Sequence, residues 1–474
     1  MEKSKSLLPS RIYPFPKCKF VPLNYESFVK YNSYLQSLNL PCVDASVFDA
    51  DDEVVIHRRS EDGRFPTMFP MSLFAFMLDY FSTASFYIKS PSHFSNVPFE
   101  EFYAILHPRE TSRKLTEIYN NKILIGDLNP IVIGDFVIKK VKRGWSLIRY
   151  KNSDKRVVYL PEFITEIGED CFFNSRTIRE VNSFNKNLRI GKRAFGQSSI
   201  RKIRTPNGIG ALSMHSFYSC RNLEEVYLKE TVTAIPISCF EGSGITTINF
   251  PRDLRGIREK AFSLCPRLET VILDGLRNLK VIESQAFSYS GIIKLELNNL
   301  MSLLNIGNAA FYMCDKIESI KITNLKNLTS IERHAFLHCE FAKQAYLDNL
   351  PNLERIGVGA FSCSGVTSVL FYNTPKLRII ESFAFAKCYD LKTIVLPKSL
   401  ETLENAVFDS CLNLRKLDLS ETKISEIGEA CFSVSMIKDI ILPRYKDTGH
   451  IKVDPNYMRG STAHITNDES IKII

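Results

Sequence analysis

The sequence predicts an α/β solenoid, a stack of about twelve coils with a parallel sheet, preceded by a small α+β domain. Twelve phenylalanines recur at spacings of 22 to 25 residues, and most of them close a hexapeptide like Ile-Gly-x-x-Ala-Phe. A unit this short cannot enclose a core alone, so each coil must bury its apolar face against the next coil. The twelve are Phe172, Phe195, Phe217, Phe240, Phe262, Phe287, Phe311, Phe336, Phe361, Phe385, Phe408 and Phe432.

Each coil begins with a pattern that is typical of a short strand. Leu223, Val226 and Leu228 take apolar positions, whereas Glu225 and Tyr227 fall on the opposite face. The chain then turns, presents a second apolar pair and enters a tight segment that ends in the phenylalanine. The repeated strand pattern therefore predicts a parallel sheet with one inward and one outward face.

A resemblance to a known family follows from these residues. The run from Ile306 to Phe311, followed by Cys314, Ile317 and Ile322, resembles the BspA-type leucine-rich repeat. The resemblance covers about residues 160–445. It implies a leucine-rich repeat solenoid and a role as an adhesive or binding surface, which includes an adhesin-like surface antigen.

Four regions are expected from the sequence. They are an α+β domain at 1–130, a capping hairpin at 131–160, the solenoid at 161–445 and a C-terminal cap or tail at 446–474. Within the first region, helix-like spacing covers 25–38, and 53–57 and 86–89 are predicted strands. Their order is weakly similar to that of BTB/POZ domains, which implies oligomerisation through this region. The alternative is a helical cap on the first coil.

The cysteines and the termini limit the class of protein. Six of the twelve cysteines stand three residues after a repeat phenylalanine, which predicts inward ladders of reduced thiols. No Cys-x-x-Cys pair occurs, so we expect no metal site. No signal peptide or membrane span is evident, which favours a cytoplasmic protein, with the cell surface reached only by unconventional export. The six are Cys220, Cys265, Cys314, Cys339, Cys388 and Cys411.

Charge is concentrated at the start of the solenoid. The whole chain carries a net charge of +9, and the stretch from Lys139 to Arg204 holds 17 basic and 6 acidic residues. Such a patch could bind a polyanion, either nucleic acid or anionic lipid; the alternative is a solvated cap. The candidate residues are Lys139, Lys140, Lys142, Arg143, Lys192, Arg193, Arg201, Lys202 and Arg204.

No motif indicates an enzyme. The sequence lacks a phosphate loop, a dinucleotide fingerprint, His-Glu-x-x-His and Gly-x-Ser-x-Gly, so no catalytic residue and no cofactor are expected. A glycosidase-like carboxylate pair stays open. The preferred hypothesis is a protein-binding scaffold that uses the outward column of the sheet. Ordinary strand propensity is the alternative explanation of that column. Its residues are Tyr227, Asn249, Ile272, Glu296, Lys321, Tyr346, Leu370 and Val395.

Overall fold

The computed structural model describes residues 130–152, 154–444, 450–461, 463–466, 469 and 471–473, together with the backbone of four earlier strands. The chain divides into two compact units, Met1–Ile125 with Tyr159–Glu162, and Gly126–Val158 with Phe163–Ile474. The first unit contains a four-stranded antiparallel sheet. Its strands include those predicted at 53–57 and 86–89, whereas the helix predicted at 25–38 lies outside the described residues.

The strands are numbered in chain order. The first seven are β1 (Glu53–His57), β2 (Pro66–Pro70), β3 (Ser85–Ser90), β4 (His93–Val97), β5 (Ile131–Ile133), β6 (Phe136–Val141) and β7 (Gly144–Tyr150). The next fourteen are β8 (Val157–Tyr159), β9 (Ile164–Ile167), β10 (Glu180–Asn182), β11 (Arg189–Ile190), β12 (Lys202–Arg204), β13 (Ala211–Leu212), β14 (Glu225–Val226), β15 (Ala234–Ile235), β16 (Thr247–Ile248), β17 (Gly256–Ile257), β18 (Thr270–Ile272), β19 (Val281–Ile282), β20 (Lys294–Asn298) and β21 (Asn305–Ile306). The last fourteen are β22 (Ser319–Thr323), β23 (Ser330–Ile331), β24 (Gln344–Asp348), β25 (Arg355–Ile356), β26 (Ser368–Tyr372), β27 (Ile379–Ile380), β28 (Thr393–Val395), β29 (Thr402–Leu403), β30 (Lys416–Asp418), β31 (Glu426–Ile427), β32 (Asp439–Ile441), β33 (Ile451–Val453), β34 (His464–Thr466) and β35 (Ile471–Ile473).

From β8 onward, alternate strands lie on alternate sides of the solenoid. The even-numbered strands form the long-strand sheet, which is interrupted between β12 and β14, between β16 and β18, and between β28 and β30. The odd-numbered strands form the short-strand sheet, which runs without a break from β15 to β35. The third side carries the phenylalanines, and we call it the turn side. Every pairing between coils is parallel, as a coil that repeats in one direction requires.

The phenylalanines form a continuous stack through the core. From Phe172 to Phe385, successive ring centroids lie 5.1–5.4 Å apart, and their planes deviate by at most 12°. The spacing widens to 6.3 Å between Phe408 and Phe432. Tyr457 then takes the next position with its ring turned by 76°. Residues 451–466 thus add a thirteenth coil beyond the predicted boundary at 445.

The helical part of the predicted α/β class is wrong, because no α-helix occurs in the described residues from 130 onward. On the turn side, the residues two before and two after each repeat phenylalanine have positive φ. Non-glycine residues there have φ of 49–61°, as at Ala309 and Met313 around Phe311. A right-handed helix requires negative φ at every residue. In this segment, backbone N–H groups donate alternately to the next coil and to the residue three positions earlier. Phe311 N–H donates to Ala335 O at 2.8 Å, and Tyr312 N–H donates to Ala309 O at 3.1 Å.

A ladder of asparagine amides explains the longer coils. The Nδ2 of Asn324 donates to Oδ1 of Asn299 at 3.1 Å, and the Nδ2 of Asn349 donates to Oδ1 of Asn324 at 2.8 Å. All three have φ of 54–59°, a conformation that asparagine tolerates better than most residues. At the lower end of the ladder, the amide of Asn299 donates to Asp274. The amide of Asn373 donates to Asp348. Each of these asparagines precedes a leucine, Leu300, Leu325 or Leu350, that is buried in the core, so the extra Asn-Leu pair of the longer coils has a structural role.

The shorter coils depend on glycine at one tight corner. A Cβ added to Gly365 would lie 1.8 Å from the carbonyl oxygen of Glu340 in the preceding coil. Gly244 and Gly291 stand at the same corner of other short coils, with corresponding distances of 2.0 and 2.1 Å. A side chain at Gly365 would have to displace the Glu340–Phe341 peptide, which is held in place because Phe341 N–H donates to Asp315 O at 3.0 Å.

We therefore expect Gly365→Ala to lower the free energy of unfolding by about 3 kcal/mol or more, since overpacked sites that cannot relax have the largest costs. Urea denaturation measures the change. The matched control is Gly210→Ala, whose Cβ would lie 3.3 Å from the nearest atom and whose φ is not positive. Equal urea midpoints for the two variants would show that a side chain fits at Gly365 without displacing the backbone.

Two exposed valines offer a second test of the turn side. Val434 has φ of 50° and 55% exposure, whereas Val395 lies in strand β28 with 46% exposure. Positive φ costs an L-residue roughly 1–2 kcal/mol, and glycine avoids this cost. Val434→Gly should therefore raise the free energy of unfolding by about 1 kcal/mol, and Val395→Gly should lower it by a similar amount. Thermal melts that shift in the same direction would count against the left-handed assignment.

Candidate interaction surfaces

From Ile272 to Val395 the predicted outward column is in register along the long-strand sheet, whereas Tyr227 and Asn249 follow the ends of β14 and β16, on the other side of a break in that sheet. Ile272 pairs with Glu296, and Tyr346 lies between Lys321 and Leu370 in neighbouring strands. Leu370 in turn pairs with Val395. The strand register thus places the apolar members of three consecutive coils side by side.

Two members of the column are engaged within the fold. The amide of Asn249 bonds both backbone groups of Leu228, accepting from its N–H at 2.8 Å and donating to its oxygen at 2.9 Å. This side chain secures the backbone beyond the end of the short strand β14. Glu296 lies 3.3 Å from Lys294.

Three apolar members of the column and Tyr372 form one compact patch, whereas Tyr227 and Ile272, which are 63% and 52% exposed, lie on earlier coils. We define the Tyr346 patch as Tyr346, Leu370, Tyr372 and Val395. Tyr372 and Val395 are 44% and 46% exposed, whereas Tyr346 and Leu370 are partly buried. The rings of Tyr346 and Tyr372 lie 5.7 Å apart, and the Tyr346 hydroxyl donates to Asp348 at 3.2 Å. The patch thus combines two exposed side chains with a partly buried base that is fixed in place.

The predicted basic residues fall into two groups. The five that lie on the first coils each pair with a carboxylate of an adjacent coil. Surface pairs of this kind add little stability, but they neutralise the local charge. The pairs are Lys192 with Glu169 (3.2 Å), Arg193 with Asp170 (2.5 Å), Arg201 and Lys202 with Glu224 (2.6 and 3.9 Å), and Arg204 with Glu180 (2.7 Å).

The other four basic residues stand at the tip of the β6–β7 hairpin. Lys139 and Lys140 lie near the end of strand β6, Lys142 and Arg143 form the turn, and all four are exposed. None of them has an ion pair within the part of the chain that the structure describes. Among the nine candidate residues, the four without an ion pair in the described part of the chain therefore all lie on the hairpin.

A further apolar surface on the turn side was missed. Leu264 and Tyr289 are 49% and 45% exposed, and Tyr289 contacts Tyr312 with ring centroids 5.2 Å apart. The glycine corner at Gly291 leaves a groove of about 440 Å³ beside them. Sequence reasoning missed this surface because the turn side has no period of two. Reading the residue two after each phenylalanine would have identified it.

The buried thiols form the predicted ladders and are unreactive at neutral pH. The Cys265 Sγ lies 3.0 Å from the carbonyl oxygen of Phe240, and Cys314 contacts Phe287 in the same way. In other coils serine takes this position, as Ser290 does 3.3 Å from Cys314. Burial raises the pKa of Cys265 and Cys314 to about 12. A thiol with so high a pKa is a poor nucleophile at neutral pH.

In the described part of the chain no group of three or more His, Cys, Asp or Glu residues could hold a metal ion. The cluster of His334, His338 and Cys339 that the sequence brings together does not form such a group. No described helix is long and apolar enough to cross a membrane.

Parallel coils, a buried aliphatic and aromatic ladder and open outward faces define a leucine-rich repeat solenoid. The sequence matches the BspA type leucine-rich repeat region over residues 149–269, 257–376 and 354–453. These matches cover more than half of the chain, so the protein belongs to the BspA-type leucine-rich repeat family. Curated proteins give no significant match.

Similar solved structures are also leucine-rich repeat proteins. A leucine-rich repeat protein from Bacteroides ovatus is 20% identical, with 73% of this chain and 99% of that chain covered and a TM-score of 0.42. The pneumococcal vaccine antigen PcpA is 16% identical, with 72% and 92% covered and a TM-score of 0.41. A leucine-rich cell surface protein from Faecalibacterium prausnitzii is 15% identical, with 73% and 95% covered and a TM-score of 0.36.

The thiol ladder makes stability depend on alkaline pH. An unfolded thiol loses its proton near 9.0, whereas the folded Cys265 keeps it to about 12. Above pH 9 the unfolded chain therefore binds fewer protons, so the free energy of unfolding should fall as pH rises from 9 towards 12. One such thiol contributes about 1.4 kcal/mol per pH unit.

Cys265→Ser is the informative variant, because serine already stands at this position in other coils. We expect its stability to fall less steeply than that of the wild type between pH 9 and 11, as measured by urea denaturation at each pH. If the free energy of unfolding fell equally steeply with pH in both proteins, burial would not keep the Cys265 thiol protonated.

Proposed function

We propose that this protein is a non-catalytic interaction scaffold that binds a partner protein at the Tyr346 patch. The observation that carries the proposal is the in-register stack of Tyr346, Leu370 and Val395 across three consecutive coils. Exposed apolar side chains that adjoin each other are typical of interaction sites, whereas isolated ones are common on any surface.

The surroundings of the patch indicate the chemistry of the partner. On the strands of the patch, the preceding outward positions carry Gln344, Ser368 and Thr393, which are uncharged. The other borders carry two charged residues, Asp348 beside Tyr372 and Lys321 beside Tyr346. An apolar centre with a polar rim is the usual anatomy of a protein interface. We therefore expect a partner with an apolar or aromatic anchor, and an interaction that survives high salt.

The rigidity of the sheet favours this use. Strands β22, β24 and β26 pair over five residues each, so the base of the patch is ordered before a partner arrives. A preorganised surface loses little conformational entropy on binding. Neither an adhesin-like role nor a cytoplasmic location follows from these observations, and both stay predictions.

The test uses the two exposed members of the patch. Val395→Glu combined with Tyr372→Ser should weaken partner capture from a source lysate by about 2 kcal/mol, roughly thirty-fold, because both side chains reach the surface. Capture is measured with the full chain at low and high salt, and thermal melts check the fold.

Leu264→Glu is the matched control. Its side chain is 49% exposed, but it lies on the turn side. It should leave capture unchanged. If the control abolishes capture and the patch variant does not, the turn side is the interface and the proposed site is wrong.

A further inference from the structure

The β6–β7 hairpin concentrates positive charge around a single tip. Val141 pairs with Gly144, so Lys142 and Arg143 form a two-residue turn. Adjacent residues of a strand point to opposite faces, and Lys139 and Lys140 therefore lie on opposite faces of the hairpin. The four cations thus surround the tip instead of lining one groove.

Nothing in the stack neutralises these charges. The five candidate basic residues on the first coils have acidic neighbours because stacked coils place unlike charges side by side there, as in the pair of Arg204 with Glu180. The hairpin tip lies beyond this pairing: among the described residues no ion pair involves its four cations. The tip therefore attracts anions more strongly than the coils do.

The tip also carries an aromatic residue. Trp145 is the single tryptophan of the chain, it is partly buried, and it pairs with Lys140 across the hairpin. Tryptophan next to lysine or arginine is the combination that occurs where proteins meet the lipid headgroups, since the ring is amphipathic and the cations attract phosphate.

The shape of the site decides between two anionic partners. A nucleic acid is bound by cations that follow its backbone over several phosphates, often with aromatic rings that stack on bases. Four cations around one tip make no such track. A layer of lipid headgroups, in contrast, presents phosphates on every side of an inserted tip.

We propose that the β6–β7 hairpin binds an anionic membrane surface, with its tip among the lipid phosphates and Trp145 at the boundary of the headgroup layer. This site is separate from the Tyr346 patch, so the two proposals stand or fall independently. Binding is electrostatic and therefore decreases as salt screens the charges.

Trp145 supplies the measurement, because its fluorescence reports on the hairpin alone. The full chain is mixed with vesicles of phosphatidylcholine, or of phosphatidylcholine with phosphatidylserine. We expect a blue shift and co-sedimentation only with phosphatidylserine. Changing Lys139, Lys140, Lys142 and Arg143 to Gln should lower the partition coefficient on the order of a thousand-fold at low salt, since each of the four basic residues near an anionic membrane contributes about a five-fold factor.

The control removes the same number of charges from the coils. Changing Lys192, Arg193, Arg201 and Arg204 to Gln should leave vesicle binding close to that of the wild type, because these residues are already paired. Circular dichroism verifies the fold of both variants. Equal losses in both variants would overturn the assignment to the hairpin. Binding to an RNA or DNA oligonucleotide without binding to vesicles would overturn the proposal that the hairpin binds a membrane.

Discussion

One aromatic ring per coil, stacked on the ring of the coil before it, is the contact on which the rest of the solenoid depends. The spacing of 5.2 Å between Phe287 and Phe311 is only slightly larger than the separation of neighbouring strands, which is about 4.8 Å. Rings at this spacing allow the sheets on the other two sides to stay paired. Because each ring contacts the coil on either side, losing one would open a cavity that two neighbours share.

The same stacking constrains the inward positions of each coil and leaves the outward positions free to vary. Inward residues must repeat, as the buried alanine before Phe311 and the thiol or serine after it do. Outward residues do not take part in the stack, so their chemistry can change from coil to coil. An interaction site can therefore be built on the solenoid by choosing outward residues alone, with little cost in stability. The Tyr346 patch meets this description at Val395 and Tyr372, while Tyr346 and Leu370 also support the surface from below.

The inward positions were predictable from the sequence because they recur, and the coil order, the thiol ladder and the register of the outward column followed from them. The turn side was not predictable in the same way. The spacing of isoleucine, alanine and phenylalanine in the hexapeptide suits a helical turn as well as the observed segment, and residues such as Leu264 and Val434 carry no signal for positive φ. The ion pairs were also hidden, because Arg201 and Glu224 meet only once the offset between coils is known.

The offset between coils also determines which side chains are left available for binding. Stacking brings unlike charges of neighbouring coils together, and it lets polar side chains complete the backbone bonding, as Asn249 does for Leu228. Groups in the stack therefore tend to satisfy one another. Two kinds of place lack a counterpart in the next coil: the hairpin that precedes the first coil, and outward positions occupied by apolar residues. The hairpin tip and the Tyr346 patch are these two kinds of place, so in this fold binding should be sought where the repeat rule does not apply.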